Sequence, residues 1–254
     1  MVIITVQFVE VTENLIPEVP KPDEGFNFNG FSSGDRWWLT ERTAPAPSEQ
    51  EITEKVPYSQ GELDFSMLGG ERFFDTREIT YKLLIYDRYY NARKEAEQEL
   101  KRMLMQTGYG QLSDTHDSAY YWKAKCESIE VEDSSEGHSL TATVKFKAYP
   151  FAYTNHDEGE DYWDDVVFNH WIWQTTQFVV NGSQTVTIKN IGSRPVLSTI
   201  DVTGSVTVVV GGQTLNLTAD SAMRTEIVME MGDNEIQLSG SGSIHFKFKR
   251  EELI

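Results

Sequence analysis

Residues 119–131, AYYWKAKCESIEV, and residues 140–148, LTATVKFKA, decide how the first half of this chain is built. In the second stretch Leu140, Ala142, Val144, Phe146 and Ala148 alternate strictly with Thr141, Thr143, Lys145 and Lys147. A period of two places one set on each face of a strand, so one face is buried and the other wet. The polar link EDSSEGH at 132–138 joins the two stretches. Together they predict an antiparallel hairpin with one solvated face, ending at Pro150-Phe151. Cys126 follows Trp122 and Ala124 at the same period, which makes it a small buried thiol of the core.

Upstream of this hairpin the chain predicts a single helix. Between Asn91 and Thr107, Ala92, Ala96, Leu100, Met103 and Leu104 recur every three or four residues. Arg93, Lys94, Glu97, Glu99, Lys101 and Arg102 lie mostly off that stripe, giving an amphipathic helix with Asn91 as N-cap and Gly108 as stop. The narrow alanine-containing stripe suits packing on a sheet, and Glu97 stands one turn before Lys101, the favourable order for a helical ion pair. Arg77–Tyr86, with Ile79, Tyr81, Leu83 and Ile85 alternating, reads as a half-buried strand, and Met1–Val11 as another. Residues 12–35 hold prolines and glycines and read as loops and short extended pieces, and Thr43–Gln50, with closely spaced prolines, as another loop. Trp37 and Trp38 point to opposite faces, one inward and one outward.

Composition shifts after residue 152. The run from Thr154 to Asp165 is dominated by Asp157, Glu158, Glu160, Asp161, Asp164 and Asp165 and reads as a linker. Beyond it, short alternating runs centre on Val186/Ile188, Leu197–Val202, Val206/Val208/Val210, Leu215/Leu217, Ile227/Met229, Ile236/Leu238 and Ile244/Phe246/Phe248. Asn181-Gly182, Gly192-Ser193, Gly204, Gly211-Gly212, Gly232-Asp233-Asn234 and Ser239–Gly242 punctuate them as turn signals. Seven or eight strands at roughly ten-residue spacing predict a β-sandwich. The expected architecture is therefore mainly β with one helix, in two domains, 1–152 and 153–254.

The 254 residues carry 22 Lys+Arg against 40 Asp+Glu, a net charge of −18, with −10 (16 against 26) in 1–152 and −8 (6 against 14) in 153–254. Neither half has the basic footprint that nucleic-acid binding needs, nor one for anionic membranes. No stretch reaches the roughly 18 apolar residues of a membrane span, and the start lacks a signal-peptide pattern, so no membrane insertion is expected and synthesis in a cytoplasm is. With one cysteine there is neither an intrachain disulfide nor a cysteine zinc cluster.

Signatures of catalysis are missing. His116, His138, His156, His170 and His245 are scattered, and no HExxH, GxSxG, phosphate-loop or dinucleotide motif occurs. Gly108-Tyr109-Gly110 is a helix exit. The acids at 157–165 lack the order of a calcium loop and read as a solvated run. A wall hydrolase would rest only on abundant carboxylates, since among so many some pair always satisfies the required spacing. The expectation is no catalytic, cofactor or metal residues. Trp163, Trp171 and Trp173 leave one alternative of another class, a carbohydrate-binding module, against the plainer reading that Trp171 and Trp173 share a strand face in the core or an interface.

One family resemblance spans most of the chain. The opening Phe26-Asn27-Phe28-Asn29-Gly30, the segment 56–84 with Gly61-Glu62-Leu63-Asp64, Phe73, Phe74 and Arg77, the helix, the hairpin and a close on Ala148-Tyr149-Pro150-Phe151 follow in an order that resembles the distal tail proteins of long-tailed phages. In the second half, Asn190-Ile191-Gly192 with Pro195, and Gly232-Asp233-Asn234-Glu235-Ile236, are similar to turns of that family's galectin-like, jelly-roll sandwich. The acidic, tryptophan-rich stretch 157–173 departs from the family pattern. The resemblance implies a virion structural protein at the tail tip: a homohexameric ring formed through the N-terminal domains, with the C-terminal domains outward. Its implied partners are the tail tube protein, the tail-associated or tail fibre protein, and peripheral baseplate or receptor-binding proteins. DNA would pass through the channel without specific binding, past a lining that the acidic balance keeps from sticking.

Overall fold

The computed structural model describes residues 23–58, 60–68, 70–160, 171–219 and 225–254. The expected strand Met1–Val11, and with it Asp161, Trp163, Asp164, Asp165 and His170, lies outside the described residues. The fold is mainly β, with one 16-residue helix.

The first sheet is antiparallel and has eight strands. β1 (Phe26–Phe28) and β2 (Phe31–Ser32) form a tight hairpin whose turn residues, Asn29 at φ +47° and Gly30 at φ +85°, are both left-handed. A two-residue connection of that hand matches the twist of the strands it joins. β3 (Trp38–Thr43) lies on the far edge beside β6 (Arg77–Tyr86), and β7 (Gly110–Asp114) follows the helix. Two longer strands, β8 (Tyr120–Ser134) and β9 (Ser139–Thr154), make the hairpin read from the sequence. The spatial order is β2-β1-β7-β8-β9-β6-β3.

The hairpin runs further than expected, because Pro150 does not stop β9. The register passes from Trp122 opposite Ala152 to Ala124 opposite Ala148, leaving Tyr149, Pro150 and Phe151 in a bulge. A proline that cannot donate to a ladder is tolerated in a bulge. Inward-facing Phe26, Phe28, Ile79, Tyr81, Leu83, Trp122, Val144 and Phe146 pack in one core. Phe26 stacks on Tyr81 at 4.5 Å between ring centroids, and Phe146 meets Phe26 and Phe28 edge-on at 5.4 and 5.0 Å.

Helix α1 (Tyr90–Met105) covers β8 and β9 with Ala96, Leu100 and Leu104. Three details differ from the sequence reading. The cap position is Tyr89, without a side-chain cap bond, while Asp87 accepts the Tyr89 N–H. Met103 is exposed, since the stripe that reaches the sheet is narrower than the apolar one. Arg93 is buried, because its guanidinium finds Asp133 at 2.5 Å and the Asp87 carbonyl at 2.7 Å. The ion pair of Glu97 and Lys101 is present at 2.6 Å.

The second sheet explains its own sequence pattern. It holds β10 (Gln177–Asn190), β11 (Val196–Val210), β12 (Gln213–Thr218), β13 (Glu226–Met229) and β14 (Gly232–Lys247), in the order β10-β14-β11-β12, with β13 also on β11. β10, β11 and β14 are each 14 to 16 residues long. Their inward positions carry Val180 and Ile188, Ile200, Val202, Val206 and Val208, and Ile236, Leu238, Ile244 and Phe246, all in one core. Midway along each, glycine takes the position that continues the inward register: Gly182, Gly204, and Gly240 with Gly242. In register, Gly182 faces Gly240 and Gly204 faces Gly242. The sheet folds over along this glycine line. A Cβ on Gly204 would meet the Ser241 carbonyl oxygen at 2.3 Å, and one on Gly240 the Ser205 oxygen at 2.3 Å, with both residues at positive φ. Five of the seven runs read from the sequence, with Phe178–Val180 as a sixth, are thus halves of β10, β11 and β14, while Leu215/Leu217 and Ile227/Met229 are the short strands β12 and β13. The glycines at 182, 204 and 240–242 are bends inside continuous strands rather than turns between strands.

Two buried asparagines hold the true turns. Asn190 Nδ2 donates to the Arg194 and Met229 carbonyls at 3.0 and 3.1 Å, and its Oδ1 accepts the Gly192 N–H at 2.9 Å. Asn234 accepts from Glu230 N and donates to the Glu230 carbonyl at 2.9 and 2.8 Å.

The chain then returns to the first sheet. β15 (Glu251–Glu252) pairs antiparallel with Tyr153 and Ala152 of β9. Arg250, with no exposed surface, lies between the sheets, its Nε 2.8 Å from Glu158 and Nη1 3.6 Å from Glu252. The Ile254 carbonyl accepts from Arg77 at 2.5 Å.

Two tests follow from this architecture. Gly240→Ala is expected to lower the melting temperature by clearly more than Gly212→Ala, since both sit at positive φ but only Gly240 has backbone in the way; equal shifts in thermal melts would refute the folded-sheet account. Arg250→Ala takes the guanidinium from the buried Glu158 carboxylate, so a loss on the order of 3–5 kcal/mol is expected in chemical denaturation.

Candidate assembly interface

Residues 49–75 leave the first sheet as an arm. Its base is closed by a bridge between Glu49 and Phe74 and by bonds from Gln50 N to the Phe73 carbonyl and Asp75 N to the Ser48 carbonyl, each 2.8 Å. Beyond it β4 (Thr53–Glu54) pairs with β5 (Leu63–Asp64), the motif Gly61-Glu62-Leu63-Asp64 falling on this hairpin. Asp64 accepts the Ser66 N–H at 2.8 Å, and the Ser66 hydroxyl accepts the Ile52 N–H at 2.9 Å. The Ser66 side chain, then its backbone N–H, holds Asp64 below the ordinary carboxylate range by hydrogen bonding.

The arm's side chains look outward. Ile52, Val56, Tyr58, Leu63, Met67 and Leu68 are exposed, Leu68 at 84%, and none joins either core. A lone exposed leucine is ordinary, but a cluster on one excursion marks an interaction surface. A two-stranded hairpin is also barely stable by itself and gains from a covering surface. At the base, Phe74 meets Phe151 of the β9 bulge edge-on at 5.8 Å, under Arg72 and Arg194, whose guanidiniums lie 5.4 and 5.3 Å from the two rings. A cavity of about 400 Å³ opens there between the arm, the bulge and the turn Ser193–Pro195. The sequence reading missed the arm; its only signal was apolar residues without periodicity among Gly61, Gly69 and Gly70.

Behind this surface a buried polar cluster fixes the sheet. Asp114 accepts from Tyr81 Oη and Arg42 Nε at 2.7 Å each and from the N–H groups of His116 and Asp117 at 3.1 and 3.0 Å. Arg42 also pairs with Asp117. Burial, then the charge of Asp114, pushes the Tyr81 phenol well above its usual value, so it serves as a fixed donor. Arg42 and Arg77 flank the Trp122 ring at 5.6 and 5.7 Å. Burial, then Arg42, lowers the Arg77 value. Asp114 thus ties β3 and β6 to β7 through Oδ2 and holds the turn after β7 through Oδ1.

The remaining candidates are dispersed. Cys126 is buried and its thiol is pushed up to about 11 by that burial. His116, His138, His156 and His245 lie on separate elements, and no group of three metal-ligating side chains occurs among the described residues. No described helix is long and apolar enough to cross a membrane. Trp37 is buried, while Trp38 is partly exposed against Tyr86 at 5.8 Å. Trp171 and Trp173 are not on a strand: residues 171–176 are irregular. The Trp171 ring is covered by Arg250 at 4.2 Å, so it seals the junction of the sheets, and Trp173 is largely exposed.

No protein-family model and no curated protein matches the sequence. Solved structures do match. The SPP1 Dit (gp 19.1) protein, described as a paradigm of the hub adsorption apparatus in phages infecting Gram-positive hosts, aligns over 89% of this chain and 98% of its own, at a TM-score of 0.61 and 10% identity. Chains of the phage P2 baseplate in its activated conformation, with Ca and with Sr, align over 89% of this chain and 97% and 98% of theirs, at TM-scores of 0.46 and 0.44 and identities of 8% and 9%. From the FNFNG hairpin to the returning β15, this chain has the fold of the SPP1 Dit hub protein.

Proposed function

We propose that this chain is a distal tail protein, a virion structural subunit of the phage tail tip or baseplate. The observation that carries the reading is likeness of fold over nearly the full length of both chains, not over one common sandwich. In this reading six copies close a ring through the first sheet and its arm. The ring joins the tail tube on one side to the tail-associated protein on the other, and the folded second sheet, as a separate domain from about residue 153, carries peripheral baseplate or receptor-binding proteins. The role is assembly and relay, with no catalytic step.

The arm supports this reading in chemical terms. A ring is built from heterologous contacts, in which a surface on one copy meets a different surface on the next. A protruding, apolar, weakly self-supported hairpin is suited to lie on a neighbour. The net charge of −18 suits a channel that passes DNA, because a phosphate backbone gains affinity only from cations.

The test is the mass of the purified chain by light scattering, alone and co-produced with its tube and tail-associated partners, with negative-stain images of the same fractions. A ring of about six copies with a central hole is the expected result; a monomer under every one of these conditions would overturn the proposal. Replacing Ile52, Met67 and Leu68 together by serine is expected to weaken assembly at least tenfold while leaving the melting temperature nearly unchanged, since none of the three is in a core.

A further inference from the structure

The outward face of the β8–β9 ribbon is electrically polarised along its length. At one end, beside the bulge, it presents Lys123 and Lys125 of β8 and Lys147 of β9. None of the three has a carboxylate within ion-pair distance among the described residues. Tyrosine rings floor this end: Lys123 Nζ stands 5.2 Å from the centre of Tyr149 and Lys125 Nζ 5.5 Å from Tyr109, and the two rings meet edge-on at 5.5 Å. Lys125 and Lys147 are cross-strand partners, a like-charge pairing that destabilises an isolated sheet.

At the other end the same face presents Glu130 and Glu132, opposite Thr143 and Thr141, with Glu136 in the turn beyond. These carboxylates too have no ion-pair partner among the described residues. Asp133, next to them, is already taken by Arg93. On the flanking strands, Glu78 of β6 stands opposite Lys147 but turns its carboxylate to Lys145 at 3.6 Å, and Lys82 of β6 is bound to Glu41 of β3. Gln111 of β7, opposite Lys123, is neutral. From Lys125 to Glu132 is seven residues, about 20 Å of strand. The two ends are far enough apart to meet different neighbours.

We propose that this face is a head-to-tail contact between copies of the chain, the acidic tip of one ribbon docking on the lysine–tyrosine end of the next. It rests on the ring reading and adds to it the pair of surfaces that meet. In a chain with 40 acids and 22 bases, a patch of unpaired lysines is the scarce partner, and the chain's own carboxylates are the abundant one. The rings hold each ammonium in place over a π face. Tyr109 and Tyr149 supply the aromatic share that protein interfaces favour, and they floor lysines that a solvated charge run would leave flexible. Docking would relieve the Lys125–Lys147 repulsion that the lone chain bears.

A charge-swap experiment on the full chain tests this. One variant carries Lys123→Glu and Lys125→Glu, the other Glu130→Lys and Glu132→Lys; all four positions point to solvent, and thermal melts confirm that each variant folds. Sedimentation velocity at 50 and 500 mM salt reads assembly, with the tube partner present if the wild type needs it. Wild type is expected to assemble at low salt and at least tenfold more weakly at high salt. Each variant alone is expected to stay monomeric, and an equimolar mixture to recover assembly, because each copy then meets an opposite charge on both sides. Variants that assemble alone like wild type, or a mixture of folded variants that stays monomeric, would overturn the contact while leaving the ring intact. A wild type that makes no ring under any condition fails the ring reading itself. Wild-type monomers that bind heparin through Lys123 and Lys125 would assign the face to an anionic polymer and overturn the contact.

Discussion

A guanidinium taken wholly out of water has to be met by carboxylates, and Arg250 is met by two, Glu158 and Glu252. Its face lies on Trp171, and its carbonyl accepts the Thr154 N–H. These contacts bring the last residues of the chain back between the sheets, where β15 extends the first sheet and Arg77 binds the Ile254 carbonyl. Buried ion pairs are poor sources of net stability but strict about geometry, since an unpaired member costs several kcal/mol, about 3–5. The relation of the two sheets is fixed by that strictness. The junction around Phe74 and Phe151 is built on the same ground, with Leu253 in its wall.

The second constraint is steric. β10, β11 and β14 each pass through glycine at the fold, and in β11 and β14 a side chain there would run into backbone. Glycine in all three strands at matched register lets one sheet close on its own core. Such a sandwich needs fewer loops than one of separate strands, and its halves cannot slide past each other.

These features differ in how far the sequence showed them. Strict alternation in 140–148 and 77–86 made the central strands plain, because burial on one side of a sheet writes a period of two. The helix was plain for the same reason, though Arg93 was misplaced: its burial depends on Asp133, forty residues away, which no local pattern reports. The glycines of the second half were visible but misread, since a turn between strands and a bend within one leave the same residue. The register that separates those cases is a property of three strands together. The arm left almost no trace, because a surface meant for another molecule obeys no internal periodicity. The polarised ribbon lay hidden within a balance of −18: net charge sums over faces that the fold keeps apart.

The chain leaves the first sheet at the end of β9 and comes back on β15, hydrogen-bonded to Ala152 and Tyr153 of that same strand. Outgoing and returning segments therefore run side by side, as the two leaves of a door hinge do. A tether of one strand is a swivel, free to turn about its own axis. A tether of two adjacent strands bends about one line and resists twisting, because any twist must wind one segment around the other. Torque applied at the second sheet is thus carried into β9, and β9 is bonded on its two sides to β8 and β6, in the middle of the first sheet. The strand that forms half of the charged ribbon is also the axle through which the rest of the molecule is turned.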